Sequence, residues 1–115
     1  MYLITRNVEL KSIEEVHQAL SKKEYSAEEL VGECIHTITK KELHLHAFLE
    51  VFEESALGEA RRVDEKLRNG DTIDVLAGIP LALKDNILVK GTRTTAGSRI
   101  LESYWLEAQR PFFCR

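Results

Sequence analysis

The sequence is poor in cysteine. It also lacks a long apolar run, a basic excess and any phosphate-binding loop. Its two cysteines, Cys34 and Cys114, lie far apart and form no CxxC pair. That usage fits a reduced, cytosolic chain and not a disulfide scaffold. No apolar stretch reaches membrane-spanning length. The opening residues MYLITRNVEL show no basic segment followed by an apolar one, so no secretory signal is expected, and they are not Arg/Ser-rich as an organellar transit peptide would be. The formal charge is −3, which gives no electrostatic footprint for nucleic acid. Neither GxxxxGK[ST] nor GxGxxG occurs, which argues against a dedicated nucleotide site. No internal repeat or low-complexity segment is visible.

What is present is an ordinary soluble composition in a chain of 115 residues, enough for one small domain. Such a chain folding alone buries roughly two thirds of its unfolded surface. After a short lead of uncertain structure over residues 1–10, Ser12-Ile13-Glu14-Glu15 forms a capping box and predicts a helix carrying Ile13, Val16 and Leu20 on one face. This helix should end between Ser21 and Glu24. Ser26-Ala27-Glu28-Glu29 is a second capping box. Behind it Leu30, Val31, Cys34, Ile35 and Ile38 make one wide apolar stripe, with Glu33, Thr37 and Lys40 turned outward. Lys22 to Tyr25 joins the two into a helical hairpin.

From Leu43 the period changes. AFLEVF, residues 47–52, is apolar, aromatic and β-branched and reads as a strand. Helical spacing returns over residues 55–68 through Ala56, Leu57, Ala60, Val63 and Leu67, and Asn69-Gly70 ends it with a left-handed cap. Residues 75–101, VLAGIPLALKDNILVKGTRTTAGSRIL, hold most of the specific information. The apolar run bounded by Gly78 and Pro80 reads as a buried strand, since proline fits only near a strand's start. The resulting order, helix, helix, strand, helix, strand, predicts an α/β fold with a parallel strand-helix-strand crossover.

Lys84-Asp85-Asn86 leaves the end of that apolar run. A lysine emerging from a buried strand loses solvation of its charged form. That brings a neutral amine, and hence a general base, within reach. Asp85 would oppose this by favouring the cation, unless neighbouring strand residues point to opposite faces. Thr94-Thr95-Ala96-Gly97-Ser98 has two readings: a pocket lined by hydroxyls and backbone N–H groups, or a tight turn that needs small residues. Ser98 is not expected to be a nucleophile, because GxSxG is absent. His44-Leu45-His46 could present two imidazoles on one strand face, but no third ligand stands at metal-binding spacing, so surface histidines are expected. His17 and His36 are placed at helix rims. Cys34 is expected to pack as a small hydrophobe, and Cys114 to be an exposed thiol. Glu14, Glu15, Glu28 and Glu29 are helix caps and not an acid–base pair.

The run GIPLALKDN followed by KGTRTTAGS resembles the amidase signature family. Within it, the likeness is nearest to the A subunits of the amidotransferases that act on glutamyl-tRNA(Gln) and aspartyl-tRNA(Asn), and it extends over residues 10–103. The resemblance implies that Lys84 is the base of a Ser–cis-Ser–Lys triad. It implies glutamine as ammonia donor, B- and C-type partner subunits, and glutamyl-tRNA(Gln) reached only through the complex. It implies ATP and Mg²⁺ in one of those partners, and no cofactor or metal in this chain. The two triad serines belong to Gly/Ser-rich segments of the GGSSGG and GSDTGGS kind, which these 115 residues do not contain. Residues 1–103 are therefore expected to be the N-terminal part of an amidase domain, divided into a helical hairpin over 1–41 and a strand-helix-strand piece over 42–103. Residues 104–115 form a divergent tail, as a frameshift or premature stop would leave. The rival readings are an amidase acting on small carboxamides, and an α/β interaction protein without catalysis.

Overall fold

The computed structural model describes residues 12–103. It falls into two compact units that divide between Pro80 and Leu81. The lead over residues 1–10, the tail over 104–115 and Cys114 lie outside the described residues.

The first unit is helical. Helix α1 runs Ile13–Ser21, α2 runs Ala27–Leu45 and α3 runs Glu53–Asn69. Both expected capping boxes form. Ser12 Oγ accepts from the Glu15 N–H at 3.2 Å, and the Glu15 carboxylate accepts from the Ser12 N–H at 2.6 Å. Ser26 and Glu29 repeat the exchange, both at 3.0 Å. Helix α1 closes through the Glu24 N–H on the Ala19 carbonyl, with Lys23 in the left-handed region at φ 58°. Helix α3 closes on Gly70 at φ 84°, where the Asp71 N–H reaches back to the Lys66 carbonyl at 3.0 Å. Glycine takes that conformation with no Cβ penalty.

The core collects the expected stripes. Val16 and Leu20 of α1, Ala27, Leu30 and Val31 of α2, Ala60 of α3 and Ile79 are buried together. Cys34, Ile35, Ala56, Leu57, Val63 and Leu67 pack at their margin. Helices α2 and α3 are further joined by a link that no local sequence signal announces. The Asp64 carboxylate of α3 accepts from the Ala27 N–H at 2.7 Å and from the Glu28 N–H at 3.0 Å. Arg61 of α3 pairs with Glu28 at 2.7 Å. The first-turn donors of α2 are thus satisfied from two sides, by Ser26 within the chain's own turn and by Asp64 across it.

The strand-helix-strand expectation is not met: among the described residues there is no strand. Residues 47–52 form an irregular connection between α2 and α3, and every one of them is exposed. Helix α2 runs on through His44 and Leu45 and stops at His46, which takes φ 47°. Glu42 turns the chain out: its carbonyl accepts from the His46 N–H at 3.0 Å and its carboxylate from the Phe48 N–H at 2.9 Å. The second expected strand is also absent. Residues 74–79 form successive turns, closed by the Ala77 N–H on the Asp74 carbonyl and the Ile79 N–H on the Leu76 carbonyl. A strand must pair its N–H and C=O groups with a neighbour, and no described segment offers an edge to either stretch.

Candidate functional site

The Lys-Asp-Asn triplet lies in the second unit. It occupies a turn, not a strand end: the Ile87 N–H closes on the Lys84 carbonyl at 2.9 Å. Lys84 and Asn86 are exposed and Asp85 is half-buried. This corrects the expected setting of Lys84, because the burial that would strip solvent from its amine is not supplied by the described residues. The apolar residues leading into it, Leu81 and Leu83, are likewise exposed.

Two further reversals bring the downstream segment back to this turn. The Thr92 N–H and hydroxyl both reach the Val89 carbonyl, at 3.2 and 2.9 Å, with Gly91 between them at φ 77°. Only glycine enters that region without strain. Thr94 is buried, and its hydroxyl donates to the Ile87 carbonyl at 3.4 Å. Thr95 then meets Asp85. The Thr95 N–H donates to Asp85 Oδ1 at 3.0 Å, and the Thr95 hydroxyl donates to Asp85 Oδ2. The Ala96 N–H donates to the Asp85 carbonyl at 3.0 Å.

Of the two readings of residues 94–98, the geometry supports the tight turn. The Thr95 and Ala96 N–H groups go to Asp85, the Gly97 N–H goes to the Thr95 hydroxyl at 3.2 Å, and the Ser98 N–H goes to the Thr95 carbonyl at 2.8 Å. The four successive N–H groups of residues 95–98 are therefore all engaged, two by Asp85 and two by Thr95. None is left to stabilise charge on a substrate. Ala96 at φ 48° and Gly97 at φ 72° carry the reversal.

The Asp85 carboxyl is held below the ordinary aspartate value of 3.8, chiefly by the Thr95 hydroxyl and then by the Thr95 backbone N–H, with the Arg93 charge adding to the shift. Hydrogen bonds to the ionised form favour that form. The ion pairs among the described residues are Arg61 with Glu28 and Arg62 with Glu59. Asp85 and Lys84 do not form one. The Asp85–Thr95 pairing was not foreseen from sequence, although Asp and Thr at turns are the residue types that hydrogen-bond local backbone.

The remaining candidates resolve simply. His44 is in the last turn of α2, His46 caps it, and both are exposed. Among the described residues no three His, Cys, Asp or Glu side chains gather as a metal site. His17 is half-buried and His36 exposed. Cys34 is a free, half-buried thiol packed at the core margin, and burial followed by the neighbouring Glu33 charge pushes it up. No helix among the described residues is long and apolar enough to cross a membrane.

Comparison with known proteins adds a second line. The family model described as Amidase matches residues 29–109. The chain is 45% identical over 95 residues to the A subunit of the glutamyl-tRNA(Gln) amidotransferase from a Cyanothece strain, covering 83% of this chain and 20% of the relative. It is 48% identical over 95 residues to the protein of that name from Nostoc punctiforme, with the same coverage. For a Synechococcus strain the figure is 47% over 92 residues, covering 80% of this chain and 18% of the relative. The chain thus spans about a fifth of the length of these curated relatives. No solved structure matches it.

Proposed function

This chain belongs to the amidase family, and on that premise we propose that it is the N-terminal region of the A subunit of a glutamine-hydrolysing amidotransferase. The carrying observation is the Lys84-Asp85-Asn86 turn with the 92–98 loop fastened to it, in a chain 43–48% identical to A subunits over most of its length. The names those relatives carry favour this reading over an amidase for small carboxamides.

In the proposed reaction the neutral amine of Lys84 takes a proton from a bridging serine. That serine takes one from a nucleophilic serine, whose oxygen attacks the carboxamide carbon of glutamine. The C–N bond breaks, the departing nitrogen is protonated, and ammonia leaves an acyl-enzyme that water hydrolyses to glutamate. Both serines would come from the Gly/Ser-rich segments that these 115 residues lack. The same larger domain would supply strand partners for residues 47–52 and 79–84 and a cover for Lys84. We assign residues 1–103 to that domain and 104–115 to a divergent tail, the family match itself running on to residue 109. The proposed partners are B- and C-type subunits, one of them holding ATP and Mg²⁺, and glutamyl-tRNA(Gln) through the complex, in the cytoplasm.

The test is a chimera in which residues 12–103 replace the matching segment of a full-length A-type protein. Release of ammonia from glutamine is measured with and without Lys84→Ala. A fall on the order of 10²–10⁴-fold is expected for loss of a general base. Equal rates in the two proteins would remove Lys84 from the mechanism.

A further inference from the structure

The structure assigns Asp85 a positioning role: it latches the 92–98 loop onto the turn that carries Lys84, instead of serving Lys84 as a counter-ion. The inference deepens the amidase reading, on which it depends for the purpose of the turn but not for the existence of the latch.

The geometry is specific. Both carboxylate oxygens of Asp85 are engaged by one residue, Thr95, through its N–H and its hydroxyl. The Asp85 carbonyl holds the next N–H, that of Ala96. Thr95 then passes the constraint on, since its hydroxyl oxygen also accepts from the Gly97 N–H. Thr94, one residue earlier, is buried and bonded to the Ile87 carbonyl at the far end of the same turn. Two segments ten residues apart are thus fastened at both ends of the Lys84–Ile87 turn. The ionised carboxylate suits this task because charge-assisted hydrogen bonds are stronger than neutral ones. The carboxylate is engaged by Thr95, and Lys84 makes no ion pair with it among the described residues. The triplet therefore divides its labour: the lysine is left free for chemistry while its neighbour fixes the backbone beneath it.

The titration has a definite sign. A carboxyl held below its ordinary value contributes stability at neutral pH and loses it as pH falls through the lowered value. The latch should therefore stay closed down to the ordinary aspartate value and open below 3.8.

The test is amide–water exchange by NMR on the 115-residue protein at neutral pH, with α2 amides as internal reference. Asp85→Ala should speed exchange at Thr95 and Ala96 at least tenfold and leave α2 unchanged. Thr95→Val should release Gly97, and Thr95→Ser should keep it protected. Lys84→Ala should leave all three as in the parent, which separates this inference from the role of the lysine. In the parent, the Thr95 amide resonance should titrate with a midpoint below 3.8. Equal exchange in parent and Asp85→Ala overturns the latch. So does a rise that spreads to α2, or a midpoint at or above the ordinary aspartate value.

Discussion

Gly78 stands where two constraints coincide. Its φ is 79°, a region that side chains enter at a cost of about 1–2 kcal/mol. An added Cβ would lie 3.0 Å from Ala27 Cβ and 3.2 Å from both Leu20 Cδ1 and Val63 Cγ1. These are packed core atoms of all three helices, so they yield little. Gly78→Ala should therefore destabilise the protein by roughly 2–3 kcal/mol, the strain and the overpacking adding. Urea denaturation followed by circular dichroism measures it, and a change under about 0.5 kcal/mol would show that the turn relaxes freely. The sequence already marked Gly78 as a boundary. What it did not show is that the residue brings Ile79 into the helical core instead of starting a strand. Lys84 is the opposite case: its motif was legible, whereas its surroundings were not, because burial depends on residues distant in sequence.

At the scale of elements, the helices were readable because their causes are local. Ser12 with Glu15, and Ser26 with Glu29, are three residues apart, and each pair closes its box as the spacing requires. The α3 stripe and its Gly70 ending follow in the same way. The two expected strands fail because strand formation is not local. AFLEVF has the composition of a strand, yet composition expresses fitness for a paired and half-covered surface. Without a partner the segment serves as a helix-to-helix connection. The Asp64 link was invisible for the same reason: it joins residues 37 positions apart. Its worth is testable. Asp64→Ala should cost about 1 kcal/mol, the usual loss for a helix N-cap, and Asp64→Asn should cost less because one acceptor remains. Thermal melts of the three proteins check this order. Identical melting of Asp64→Ala and parent would mean that Ser26 alone suffices for α2.

For the molecule as a whole, the informative feature is apolar surface left exposed among the described residues. Leu43, Leu45, Leu49 and Phe52 are 75, 64, 77 and 45% exposed in the first unit, and Leu81, Leu83, Ile87 and Leu88 are 45–49% exposed in the second. Scattered exposed apolar residues are ordinary, but runs of them mark surfaces that another element covers. Leu49 and Phe52 in the first set, and Leu81 and Leu83 in the second, fall in the stretches whose composition asks for a sheet. They agree with a chain that spans about a fifth of its relatives' length, and with the proposed amidase site, of which these residues would hold the lysine but neither serine. Ammonia release from glutamine by the purified 115-residue polypeptide tests that account most directly. Loss of a triad nucleophile lowers the catalytic step by roughly 10⁴-fold or more, so no rate above the buffer blank is expected. Turnover by the polypeptide alone that disappears with Lys84→Ala would contradict it.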